Sequence, residues 1–192
     1  MMPQKPQEKT QQISFRDISS GNKRVVTSSI NVPREGNIIR VFDLIDGINS
    51  DENWNHEKMN LGATAYSHVI HLAQELGLLY ENKTLTKRGK ATVSLTHHGR
   101  LTRISLCLGD MMIFKSWMEW SGVQSILELD SDSALQFLDS TCHDLKTKTR
   151  KARSTCIKRL MKDILPHHPK RIYDDGIDER DSEFKLEHEE PV

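Results

Sequence analysis

Residues 63–90 read ATAYSHVIHLAQELGLLYENKTLTKRGK, and the reading of this stretch decides the fold. Its first half predicts a helix, because Ala65, Val69, Leu72, Ala73 and Leu76 recur at three- and four-residue spacing. Thr64, Ser67, His68, His71 and Gln74 fall off that stripe and make a face of short polar groups. Gly77 is placed to stop the helix, since glycine enters the left-handed region at little cost. Leu78 and Leu79 on one side and Leu85 on the other flank a polar Glu81-Asn82-Lys83 tip, the pattern of a small β-hairpin. Thr86 can then cap a new helix that opens Lys87-Arg88-Gly89-Lys90.

Upstream, Ile38, Val41, Phe42, Ile45 and Ile48 predict an amphipathic helix beginning after Gly36-Asn37 and ending around Asn49-Ser50-Asp51. A short helix is expected around residues 54–59. Residues 13–15 and 24–27 have the β-branched and aromatic content of short strands, and residues 1–12 read as a loose arm. Downstream, His97-His98-Gly99 is expected to break the helix that starts at Lys87. Ile104, Leu108, Met111, Met112 and residues 114–120 read as one helix rich in Met and aromatics. Asp130 or Ser131 caps another, and a last helix spans about 149–165 before Pro166. The expected class is mainly α with a small β-hairpin. It divides into an arm (1–35), a hairpin-bearing helical unit (36–96), a helical extension (97–166) and an acidic tail (167–192).

Charge is distributed in blocks. The 192-residue chain carries 27 basic and 27 acidic residues, a formal net charge of zero. Residues 83–103 nevertheless hold six bases and no acid, residues 146–171 are net +9, and residues 172–192 are net −7. Blocks of one sign create local potentials that the total does not report, so neutrality does not exclude a polyanionic partner. No run approaches the ~18 apolar residues of a membrane span. The N-terminus has no apolar signal core, and Cys107, Cys142 and Cys156 do not make a disulfide framework. A cytoplasmic protein without a membrane partner is the expectation.

The order helix, short helix, glycine turn, helix, hairpin and helix resembles the winged helix–turn–helix family. The residues that carry the likeness are Glu75-Leu76-Gly77-Leu78-Leu79 followed by Leu85-Thr86-Lys87-Arg88-Gly89. A second stretch is similar to the helical extensions that follow such modules in restriction-endonuclease-associated proteins. It runs from Trp117 and Trp120, through Val123, Ser125 and Ile126, to Thr149, Arg150 and Arg153-Ser154-Thr155. The resemblance implies a winged helix–turn–helix with a C-terminal helical bundle, binding double-stranded DNA as a recognition subunit or regulator in a restriction system. Thr64, Ser67, His68 and His71 are then the base-facing residues, since short donors and acceptors reach base edges. Lys83, Lys87, Arg88 and Lys90, with Arg150 and Arg153 of the last helix, are the phosphate contacts.

Other classes fit parts of the same sequence. A protein-interaction adaptor would use the same fold, with Met111, Met112, Trp117 and Trp120 as a face for a partner protein or a second copy. Core packing is the simpler reading of those four. A metal-dependent restriction nuclease needs converging carboxylates and a lysine. The nearest pattern, Asp178 with Glu183-Phe184-Lys185, lies in the polar tail and reads as an accident of composition. His97-His98, Cys142-His143 and His167-His168 lack zinc-ligand spacing, so no metal, cofactor or catalytic residue is assigned. The acidic tail either solvates the chain end or folds back on the basic surface.

Overall fold

The computed structural model describes residues 25–174 apart from residue 52. Helices dominate: α1 (Ile38–Ser50), α2 (Ala63–Glu75), α3 (Lys87–Val93), α4 (His97–Cys107), α5 (Met112–Ser121), α6 (Ala134–Thr141), α7 (Thr147–Ile164) and α8 (Pro169–Asp174). Short 3₁₀ turns join several of them. One buried apolar cluster runs from Val32 to Leu165. α1 packs on α2 and α3, α3 on α4, α4 on α7, and α6 on α7. Trp117 lies between Phe114 and Phe137, with ring centroids 6.2 and 5.6 Å away.

The start of α1 shows how the sequence sets a helix end. Asn37 accepts from the Ile39 N–H at 3.1 Å, and Glu35 accepts from the N–H groups of Gly36 and Asn37, each at 2.8 Å. These bonds satisfy donors that a helix N-terminus leaves without partners. Gly36 permits the neighbouring approach of α7, because a Cβ there would sit 2.8 Å from the Cα of Cys156.

The expected β-hairpin is not present. Among the described residues there is no strand or sheet, and Leu79 and Leu85 form only an isolated antiparallel bridge. Two backbone bonds cross the loop, from the Tyr80 N–H to the Thr84 carbonyl at 2.9 Å and from the Thr86 N–H to that of Leu78 at 3.0 Å. Pairing stops there because the Leu78 N–H turns back to the Ala73 carbonyl at 2.9 Å and the Lys83 N–H closes the tip on Tyr80 at 2.9 Å. Gln74 donates to the carbonyls of Tyr80 at 3.1 Å and Glu81 at 3.4 Å, and Thr86 donates to that of Gly77 at 2.7 Å. Lys83 adopts a left-handed φ of 65° at the tip. Residues 76–86 are therefore a tight loop. The mainly-α class stands, and the wing that a winged helix requires does not. Residues 13–15 and Arg24 lie outside the described residues, while residues 25–27 are irregular.

Other boundaries move for local reasons. The helix beginning at Lys87 ends at Val93, and His97-His98 opens α4 instead of breaking its predecessor. Thr96 caps α4 by accepting from the Gly99 N–H at 3.2 Å. The Met-rich helix is split by a 3₁₀ turn over Leu108–Asp110, and residues 56–60 form turns where a short helix was expected. Met111 and Trp117 are buried in the core, so the four-residue partner face does not exist as a surface; Met112 alone of the four is exposed.

α3 is seated against the end of α2 by backbone contact. A Cβ on Gly89 would lie 2.2 Å from the Leu78 carbonyl oxygen, an atom that cannot swing away. Gly89→Ala is expected to lower unfolding free energy by ~1–3 kcal/mol in chemical denaturation, the usual range for overpacking. Gly62→Ala, at the N-cap of α2 with open space around its Cβ, is the control without overpacking and should cost less.

Candidate nucleic-acid interface

Thr86 organises the basic segment. Its hydroxyl donates to Gly77 and accepts from the Gly89 N–H at 2.9 Å, so the first turn of α3 is tied to the end of α2. Arg88 lies across the same joint and donates to the Leu76 carbonyl at 3.3 Å. Lys87 and Lys90 point away from it. Lys83, Lys87, Arg88 and Lys90 are all exposed, and none has a carboxylate partner among the described residues. Arg103 on α4 is half-buried and likewise without one.

Arg100 is the exception in this block. It pairs with Asp46 at 2.6 Å and donates to the carbonyls of Val93 at 2.7 Å and Leu95 at 3.1 Å. Its guanidinium also sits 5.6 Å from the centre of the Phe42 ring. Arg100 thus braces the α3–α4 connection against α1. Beyond it an open groove of about 650 Å³ runs between α3 and α4, bordered by Arg88, Leu95, His98, Thr102, Arg103 and Leu106.

The polar face of α2 is divided. Thr64 and Ser67 are exposed, whereas His68 and His71 are half-buried. Burial holds both imidazoles below the usual histidine range, and Arg34 pushes them further down. Both are therefore neutral near pH 7 and act as hydrogen-bonding groups without charge. The charges that reach them are those of Arg34, Glu35 and Arg153.

Two of the expected phosphate contacts are spent inside the molecule. Arg153 is 8% exposed, and its guanidinium donates to the carbonyls of Ser29 and Val32. Arg150 pairs with Asp139 at 2.6 Å and donates to the carbonyls of Leu145 and Cys142. Both tie down neighbouring segments and are not free for DNA. The signal for Arg153 was in the spacing, because it stands four residues before Ile157 on the stripe that continues through Leu160 and Ile164. Lys148, Lys151 and Lys162 remain exposed on α7 without carboxylate partners among the described residues.

Sequence reasoning missed two features. Glu75 is half-buried with its Oε2 covered and unpaired, and burial raises its pKa to about 7. His98 and His167, far apart in the chain, meet with their Nδ1 atoms 3.2 Å apart. Among the described residues no three His, Cys, Asp or Glu side chains are grouped to hold a metal ion. Burial and then Asp144, which accepts its S–H at 3.1 Å, push the Cys142 thiol up to about 12, a poor nucleophile. No helix among the described residues is long and apolar enough to cross a membrane. No family model matches the chain, and no curated protein or solved structure matches it either.

Two outcomes check this assignment. Arg153→Leu leaves the Val32 carbonyl without its donor and removes one of the two donors to Ser29, and should cost ~1–3 kcal/mol in denaturant unfolding. Glu75 binds its proton more tightly folded than unfolded, so its contribution weakens the fold as pH rises from the ordinary carboxyl value of 4.5 to about 7. Glu75→Gln is accordingly expected to raise the melting temperature relative to wild type at pH 8, with the gain vanishing near pH 4. An equal gain at both pH values would contradict the burial of an ionisable carboxyl.

Proposed function

We propose that the chain binds duplex DNA, gripping phosphates with the segment from Lys83 to Arg103. The observation that carries this reading is electrostatic. The only base in that segment with a carboxylate partner among the described residues is Arg100, while Lys83, Lys87, Arg88, Lys90 and Arg103 have none. The ion pair to Asp46 and the Thr86 cap fix the helices that present Lys87, Arg88, Lys90 and Arg103, so little ordering of those helices is left to be done on binding. Phosphate contacts are mostly of this kind and fix the register of a protein on a duplex.

Thr64 and Ser67 are the base-facing candidates on α2, with His68 and His71 as neutral donors or acceptors behind them. The three-residue connection between α3 and α4 makes these two helices a compact pair without need of a wing. A restriction system, with this chain as recognition subunit or regulator, is the setting we infer from the resemblance of the helical extension. A cytoplasmic location goes with it, since Cys107, Cys142 and Cys156 are all free thiols.

The test is fluorescence anisotropy with a labelled duplex at several salt concentrations. Each phosphate contact removed should flatten the log–log salt slope by about 1. Lys87→Glu/Lys90→Glu, at exposed positions, should lower affinity at least tenfold at low salt with an unchanged melting temperature. Unaltered affinity in the folded double variant would refute the placement.

A further inference from the structure

We propose that the acidic segment of residues 175–192 docks in the groove between α3 and α4 and competes there with nucleic acid. The competition rests on the DNA reading above; the docking does not. Three observations carry it.

The groove has the character of a site for an acidic segment with an apolar centre. Arg88 and Arg103 stand on it without carboxylate partners, and no acidic residue borders it. Leu95 and Leu106 supply apolar surface, and Leu106 is 59% exposed. A large apolar side chain left open in a groove that two arginines border offers area that a neutral polar loop would not cover well.

The segment has the matching chemistry. It holds eight acidic residues against Arg180 and Lys185. Glu183-Phe184-Lys185-Leu186-Glu187 places Phe184 and Leu186 between two carboxylates. Phe184 and Leu186 would lie over Leu95 and Leu106, with Glu183 and Glu187 directed to the two arginines.

The described chain also passes the groove at His167, before α8 carries it past the hollow that Arg171 borders. His98, on its border, is 3.2 Å from His167, and the Ser105 hydroxyl of α4 donates to the His167 carbonyl at 3.4 Å. α8 ends at Asp174, only seven residues later. Each further residue of extended chain spans ~3.3–3.6 Å, so residue 183 can reach back some 30 Å. Tethering raises the local concentration of such a segment to the millimolar range, where a weak contact suffices. The other basic hollow, near Lys158, Lys162 and Arg171, is the poorer match. Asp130 borders it, and Lys158 is already paired with Asp132 at 2.8 Å.

Amide chemical shifts of the full-length protein test the docking directly. Wild type is compared at low salt with Glu183→Lys/Glu187→Lys and with Phe184→Ser. Docking predicts shift differences at the amides of Arg88, Leu95, Thr102, Arg103 and Leu106, and a salt titration should move wild type toward the charge-reversed variant. Arg103→Glu should abolish the difference. Changes confined to the substituted segment would overturn the proposal. So would groove shifts that ignore both salt and Arg103→Glu. The two readings fail separately. Groove shifts in a protein that retains no duplex DNA would sink the DNA assignment and leave docking intact. Tight DNA binding with identical affinity and groove shifts in all tail variants would do the reverse.

Discussion

The fold turns on one close contact, the backbone of Gly89 against the Leu78 carbonyl at the joint between α2 and α3. No side chain fits between them, so α3 is held at the end of α2 in a single arrangement. The Thr86 hydroxyl fastens the joint from both sides, donating to Gly77 and accepting from Gly89. Lys83, Lys87, Arg88 and Lys90 all lie within a few residues of this contact. Their positions are inherited from it, and so is the near wall of the groove that α3 makes with α4.

The molecule spends its charges unevenly. Arg100, Arg150 and Arg153 are turned inward or across helix joints, where each meets backbone carbonyls that would otherwise lack donors. A guanidinium suits this work because it offers five donors in a fixed plane. The lysines, with a compact and strongly hydrated charge, are left mostly outside. What remains for a partner is therefore fewer bases than composition suggests, collected on the loop before α3, on α3 itself and on the outer side of α7.

Much of this was legible in the residues. The stripes of α1 and α2, the stop at Gly77 and the cap at Thr86 are local properties, set by spacing and by single-residue conformational preference. The hairpin was not a local property. Leu78 and Leu79 on one side and Leu85 on the other flank a polar tip as strand arms would, but the Leu78 N–H bonds back to Ala73 at the end of α2 and the Gln74 side chain takes the Tyr80 carbonyl, so the pairing does not extend. The inward turn of Arg153 was readable from its position on the α7 stripe. The capture of Arg150 by Asp139, the desolvation of Glu75 and the meeting of His98 with His167 needed the packed chain.

The most direct measurement is the change in amide shifts of the full-length protein on adding a short duplex of random sequence at low salt. Perturbations concentrated on residues 83–103, with smaller ones at Thr64 and Ser67 and none around Asp43 and Asp46, are the expected result. A map centred on α1 or on the Met112 surface, or no change at saturating duplex, would contradict DNA binding through this segment.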